Sequence, residues 1–183
     1  MKNQALSVFA ILILLVNAGL AQEPDDLDAL DQKIRRHFEK ALPGWKHERV
    51  EPIEGSKNVL IEFWSMPNKK VKVSILSHIS VEQAKQGFQD SAKYGDKETV
   101  KELGDEVTSW GYGSSVIGFR RGKYTVYIGS GVDIDSDPDA RSLTQDQRAE
   151  REKSEMRRLS LEFAKYVAEA LDAPWRRGED CPL

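Results

Sequence analysis

Apolar residues recur at three- and four-residue intervals at Leu27, Leu30, Ile34, Phe38 and Leu42, which predicts an amphipathic helix from about Asp26 to Leu42. Asp25, Asp26 and Asp28 stand at its start, where the helix dipole favours negative charge. Pro43-Gly44 ends it. The period then changes to two. Trp45 to Ile53 predicts a first strand, stopped by Glu54-Gly55-Ser56. Val59, Ile61 and Phe63 alternate with Leu60, Glu62 and Trp64, and Val71, Val73 and Ile75 alternate with Lys72 and Ser74. A turn at Met66-Pro67-Asn68-Lys69 joins the two runs into a hairpin with one buried face. Ser80 and Gln83 have capping-box spacing and open a helix to about Tyr94, with Val81, Ala84, Phe88 and Ala92 inward.

The second half repeats this rhythm. Val100 to Leu103 and Glu106 to Trp110 predict strands, and Ser115 to Arg120 pairs with Lys123 to Ser130 around Arg121-Gly122. Thr144 and Gln147 form a second capping box. The long helix that follows carries a stripe of Met156, Leu159, Phe163, Val167 and Leu171, with charge elsewhere and Pro174 as its stop. Val59-x-Ile61-x-Phe63 with Val71-x-Val73-x-Ile75 can be laid over Val116-Ile117-x-Phe119 with Tyr124-x-Val126-x-Ile128. Two related hairpin–helix halves are one reading; a general likeness of amphipathic hairpins is the other.

This order of elements predicts an α+β fold, an antiparallel sheet of about five to seven strands with three helices (N-terminal, middle and long C-terminal) packed on one face. The order resembles that of the PsbP-like folds of exported proteins. The resemblance covers element order alone, and no residue is carried over from it.

The chain begins with Lys2, an uncharged apolar run from Ala5 to Val16, and the small residues Gly19 and Ala21 before Gln22. That is the build of a signal peptide over residues 1–21. The run is short for a membrane span, which takes roughly 20 residues. The expectation is a secreted or periplasmic protein with no stable membrane insertion after cleavage, a single domain over 22–175 and a flexible tail over 176–183. Cys181 is the only cysteine, so no intramolecular disulfide is available, and it is read as a free thiol in the tail. Asn-x-Ser/Thr sequons are absent, which points to bacterial export. A formal net charge of −3 does not suit general binding of nucleic acid.

Three local features bear on chemistry. Asp133, Asp135, Asp137 and Asp139 alternate on the loop before the last helix, as oxygen ligands for calcium would. Pro138 and Thr144 stand where an EF-hand needs Gly and Glu, so only a weaker calcium loop, or a solvated acidic connection, remains. Basic residues mark both hairpin tips, at Lys69, Lys70 and Lys72 and at Arg120, Arg121 and Lys123. Hairpins of like orientation would gather them into one cationic end. Trp110-Gly111-Tyr112-Gly113 reads as a binding loop or a bulged strand, and Trp64, Trp110 and Tyr112 are the candidate lining of a ligand pocket. His37, His47 and His78 have no zinc spacing, and a metal site could arise from them only in space. No nucleophile elbow or phosphate loop is present.

The reading that follows is an exported, non-enzymatic binding module, monomeric, for an envelope or extracellular partner or a small ligand, with no cofactor beyond the calcium considered above. The alternatives are a hydrolase whose carboxylates and histidine assemble in space, and a purely structural exported protein. An apolar pocket lined by Trp64, Trp110 or Tyr112 would support binding, and a cleft holding His78 or paired carboxylates with displaced pKa values would support the enzyme.

Overall fold

The computed structural model describes residues 27–50, 56–93, 95–97, 100 and 102–172. Residues 1–26, where the signal peptide is expected, residues 51–55, Tyr94, and the C-terminal residues with Cys181 lie outside them. Helix α1 spans Leu27–Ala41, followed by strands β1 (Lys46–Val50), β2 (Val59–Met66) and β3 (Lys69–Ser77) and helix α2 (Val81–Ala92). Then come β4 (Asp96–Lys97), β5 (Glu106–Trp110), β6 (Val116–Arg121), β7 (Tyr124–Val132) and α3 (Gln145–Asp172). The strands form one seven-stranded sheet in the order β1-β2-β3-β7-β6-β5-β4. Every neighbouring pair is antiparallel. This is the α+β architecture expected from the periodicities.

Both capping boxes close. Ser80 Oγ accepts from Gln83 N at 3.1 Å, and Gln83 Oε1 accepts from Ile79 N at 3.0 Å. Thr144 Oγ1 accepts from Gln147 N at 3.3 Å, and Gln147 Oε1 accepts from Thr144 N at 2.9 Å.

Two expectations are corrected. Among the described residues of Val100–Leu103 no strand forms: Leu103 N closes a turn on Val100 O at 3.1 Å, the Leu103 side chain is fully buried, and the short edge strand lies earlier, at Asp96–Lys97. The helices also do not share one face. α1 and α3 cover the face carrying Leu60, Trp64, Val71, Val73, Ile75, Ile117, Phe119, Val126 and Ile128. α2 lies on the other, over β6 and β7, burying only Ala84 and Phe88. Its Ser91 hydrogen-bonds Tyr127, which packs edge-on against Trp110. Trp110 lies so close over Gly118 that a Cβ there would meet its ring at 2.8 Å. The sequence shows a stripe on each helix but not which face of the sheet each stripe meets.

The two meanders meet at β3 and β7 with a register that an approximate two-fold axis would produce. Val73 pairs Ile128, and Ile75 pairs Val126. Continuing outward, Leu60 pairs Ile75 as Ile117 pairs Ile128, and Glu62 pairs Val73 as Phe119 pairs Val126. The overlay of Ile61 on Ile117 and Phe63 on Phe119 is therefore one residue out, which in a strand exchanges the faces. Glu62 occupies the place that Phe119 holds in the other half. Arg49, opposite Glu62, likewise corresponds to Val107, opposite Phe119. The helices break the relation, since α2 and α3 lie on opposite faces.

The same register separates the basic tips. Lys69 pairs Val132 while Ser77 pairs Tyr124, so the two hairpin turns point to opposite ends of the sheet. Lys69 is bound to Glu155 at 2.7 Å, Arg120 to Asp105 at 2.7 Å and Glu106 at 2.8 Å, and Arg121 to Asp172. No single cationic end exists.

Candidate metal centre

Along α1 the buried positions are Leu27, Leu30, Asp31, Ile34 and Phe38. An aspartate thus sits inside the apolar stripe, four residues after Leu27 and three before Ile34, and is carried to the interface with the sheet. In β2 the inward positions are Leu60, Glu62 and Trp64. Glu62 is fully buried. β1 lays His47 beside Trp64 and Arg49 beside Glu62. Helix docking and strand pairing together bring Asp31, His47 and Glu62 to one point, with one ligand atom from each lying within 4.8 Å of the others.

His47 Nε2 is 3.8 Å from Asp31 Oδ1 and 3.9 Å from Glu62 Oε2. Asp31 Oδ1, His47 Nε2 and Glu62 Oε1 are buried and have no hydrogen-bond partner outside the cluster. The outer atoms are engaged. Trp64 Nε1 donates to Glu62 Oε2 at 2.9 Å, and Arg49 Nη1 donates to Asp31 Oδ2 at 3.1 Å. Arg49 Nη2 lies 2.6 Å from Asp28 Oδ1 on the exposed side. The imidazole rests on the Trp64 indole with ring centroids 4.6 Å apart. Beyond the indole lie Phe38, at 4.8 Å from Trp64, and Phe163, stacked on Phe38 at 4.8 Å. The centre is a polar island against an aromatic core.

Burial dominates its electrostatics. Desolvation raises the Glu62 carboxyl to about 8; the Trp64 N–H opposes this, and a hydrogen bond from the protonated acid to Asp31 and the Asp31 charge add to it. Desolvation lowers the His47 imidazole, against the pull of Asp31. Burying polar groups without partners costs about 1–3 kcal/mol each. The corresponding positions of the other meander are filled by Phe119 and Val107, so the sheet itself does not require a carboxylate there.

The three aromatics singled out in the sequence do not converge. Trp64 is fully buried and faces α1 and α3. Trp110 lies on the opposite face against Gly118 and Tyr127. Tyr112 is exposed, with the Lys153 ammonium 5.2 Å from its ring, and lines an open cleft of about 550 Å³ beside Asp135 and Arg148. The acidic loop is turned largely towards α3. Asp135 pairs with Arg148 at 3.3 Å and Asp137 with Arg151 at 2.7 Å, while Asp137 Oδ1 also accepts from Asp139 N at 3.0 Å. Asp133 continues the β7 backbone, its N donating to Asn68 O at 2.8 Å. Among the described residues, the group of possible metal ligands that converges is Asp31, His47 and Glu62, and it does not include this loop. Of the other histidines, His37 binds Glu169 at 3.0 Å and His78 binds Thr125 at 2.5 Å. Two sequence signals pointed to the centre without naming it: Asp31 within an apolar stripe, and Glu62 between Leu60 and Trp64.

No protein-family model, curated protein or solved structure matches the chain. The likeness to PsbP-like folds stands on element order alone.

Proposed function

We propose that this chain is an exported, non-enzymatic binding module that takes up a small cation at Asp31, His47 and Glu62. The observation that carries the reading is the convergence of three buried ligand atoms from three elements, with no donor to them from outside the cluster. In the metal-free chain Glu62 and Asp31 can share a proton, while His47 Nε2 has no partner; an ion in place of that proton engages all three groups at once. The complete burial of Glu62 supports a ligand of ionic size over an organic substrate, and so favours binding over hydrolysis. The signal-like pattern of residues 1–21 supports export.

Native mass spectrometry of the protein recovered from its host's export compartment tests both parts. The expected species begins at Gln22 and carries the added mass of one metal ion, lost on denaturation. A chain retaining residues 1–21 overturns export with cleavage. A metal-free mass, or an adduct of several hundred daltons, overturns the cation.

A further inference from the structure

We infer that the ion is a first-row divalent transition ion of the zinc class, held by Asp31 Oδ1, His47 Nε2 and one carboxylate oxygen of Glu62. The inference rests on the cation reading above and adds the ion's chemistry. Four features of the centre carry it.

The first is the donor set. Calcium takes six to eight oxygen ligands and magnesium an octahedral oxygen shell rich in water. Here an imidazole nitrogen stands between two carboxylates, a set suited to zinc and its first-row neighbours. The Trp64 indole under the imidazole, backed by Phe38, makes one wall of the centre apolar.

The second is spacing. Zinc holds these donors at about 2.0–2.2 Å, which sets tetrahedral neighbours about 3.4 Å apart. The imidazole nitrogen lies 3.8 Å from Asp31 Oδ1 and 3.9 Å from Glu62 Oε2, the oxygen that also accepts from Trp64. Closing by a few tenths of an ångström needs only small side-chain rotations.

The third is the outer shell. Each carboxylate is fixed by a donor on its outer oxygen, Trp64 Nε1 for Glu62 and Arg49 Nη1 for Asp31. Asp31 Oδ1 and Glu62 Oε1 have no donor from outside the Asp31–Glu62 pair, and the Glu62 side chain is 0% exposed. Metal-binding carboxylates are oriented in this manner.

The fourth is charge. Once the ion displaces the Glu62 proton, two carboxylates neutralise its charge, and Asp28 neutralises Arg49. His47, with its side chain 14% exposed, is the open flank, where a fourth ligand such as water completes the coordination.

The test uses the exported protein without an affinity tag, stripped with chelator, in a Cys181→Ser background so that the thiol contributes nothing. Zinc, calcium and magnesium are titrated by calorimetry, and cobalt(II) reports coordination through its visible spectrum. The expected result is one zinc per chain, bound about a hundredfold tighter than calcium or magnesium, with a cobalt spectrum of low coordination number. His47→Ala and Glu62→Gln each lower zinc affinity roughly a hundredfold, and Trp64→Phe roughly tenfold. Glu62→Gln keeps the shape of the protonated acid and separates lost binding from lost folding, which circular dichroism monitors. Calcium or magnesium binding as tightly as zinc at this centre overturns the inference and leaves the cation reading standing. Zinc binding that survives His47→Ala and Glu62→Gln overturns it as well, because the ion then lies elsewhere. Binding of none of these ions overturns both.

Discussion

The Trp64 indole donates its N–H to the carboxyl of Glu62, 2.9 Å away and two positions earlier on the same strand and face. Residues i and i+2 of a strand share a face, so one strand supplies both a buried acid and the donor that orients it. Replacing Trp64 by Phe keeps most of the packing against Phe38 and leaves Glu62 Oε2 without its donor. Chemical denaturation in the presence of chelator should show a loss of about 1–3 kcal/mol. Unchanged stability would mean that this bond contributes nothing in solution.

Glu62 also sets a pH dependence for the metal-free protein. Its folded-state pKa, about 8, lies above the unfolded value of 4.5, so the folded chain holds a proton that the unfolded chain releases. The contribution of this group is most favourable below the unfolded value, falls as pH rises from 4.5 through about 8, and levels off above. Glu62→Gln cannot ionise and removes the slope. Relative to the parent it should gain roughly 2–4 kcal/mol in stability between mildly acidic and mildly alkaline pH. Parallel stability curves for the two proteins across that range would contradict the raised value.

Glu155 behaves in the opposite sense. Hydrogen bonding from Arg158, and then from Lys69, lowers its carboxyl to about 2. Its contribution is present above the unfolded value of 4.5 and is lost as pH falls from there towards 2. The group is part exposed, so about 1 kcal/mol is expected. Thermal unfolding of Glu155→Gln should match the parent at the acid end of this window and fall below it at neutral pH, with a gap that narrows in high salt.

Gly118 marks where the other face is tightest. A Cβ at this position would lie 2.8 Å from the Trp110 ring and 3.2 Å from that of Tyr127. Gly118→Ala must displace one of the rings and should cost about 1–3 kcal/mol. Trp110 fluorescence reports the displacement directly, and an unshifted spectrum with unchanged stability would show that the rings have room to yield.

The sequence displays what is local. The hairpin turns, both capping boxes and the stripes of α1 and α3 depend on residues a few positions apart, and the periodicities show them. The centre depends on contacts that no period encodes. Asp31, His47 and Glu62 come from three elements, and their meeting requires α1 to dock over β2 and His47 to pair with Trp64 rather than with a neighbour. His47 gave no signal; Asp31 and Glu62 each gave one, a charged residue at an apolar position of its own repeat, and in β2 it was masked. There the alternative parity, Val59, Ile61 and Phe63, is wholly apolar and reads as the buried face. The structure leaves that parity half-buried, because α2 lies over β6 and β7 and not over β2. The acidic loop shows the converse: a conspicuous local pattern whose partners, Arg148 and Arg151, belong to the next helix.

Since the three residues at the centre all lie between positions 31 and 62, whatever occupies it fastens the opening helix and the first two strands to one another and touches neither the second hairpin nor the long helix. Loading should therefore be felt unevenly. Amide exchange would slow along α1, β1 and β2, while β5, β6 and α2 continue to open at their former rate. The molecule would respond as a clasp tightened at one edge of a sheet, with the opposite edge unaware of it.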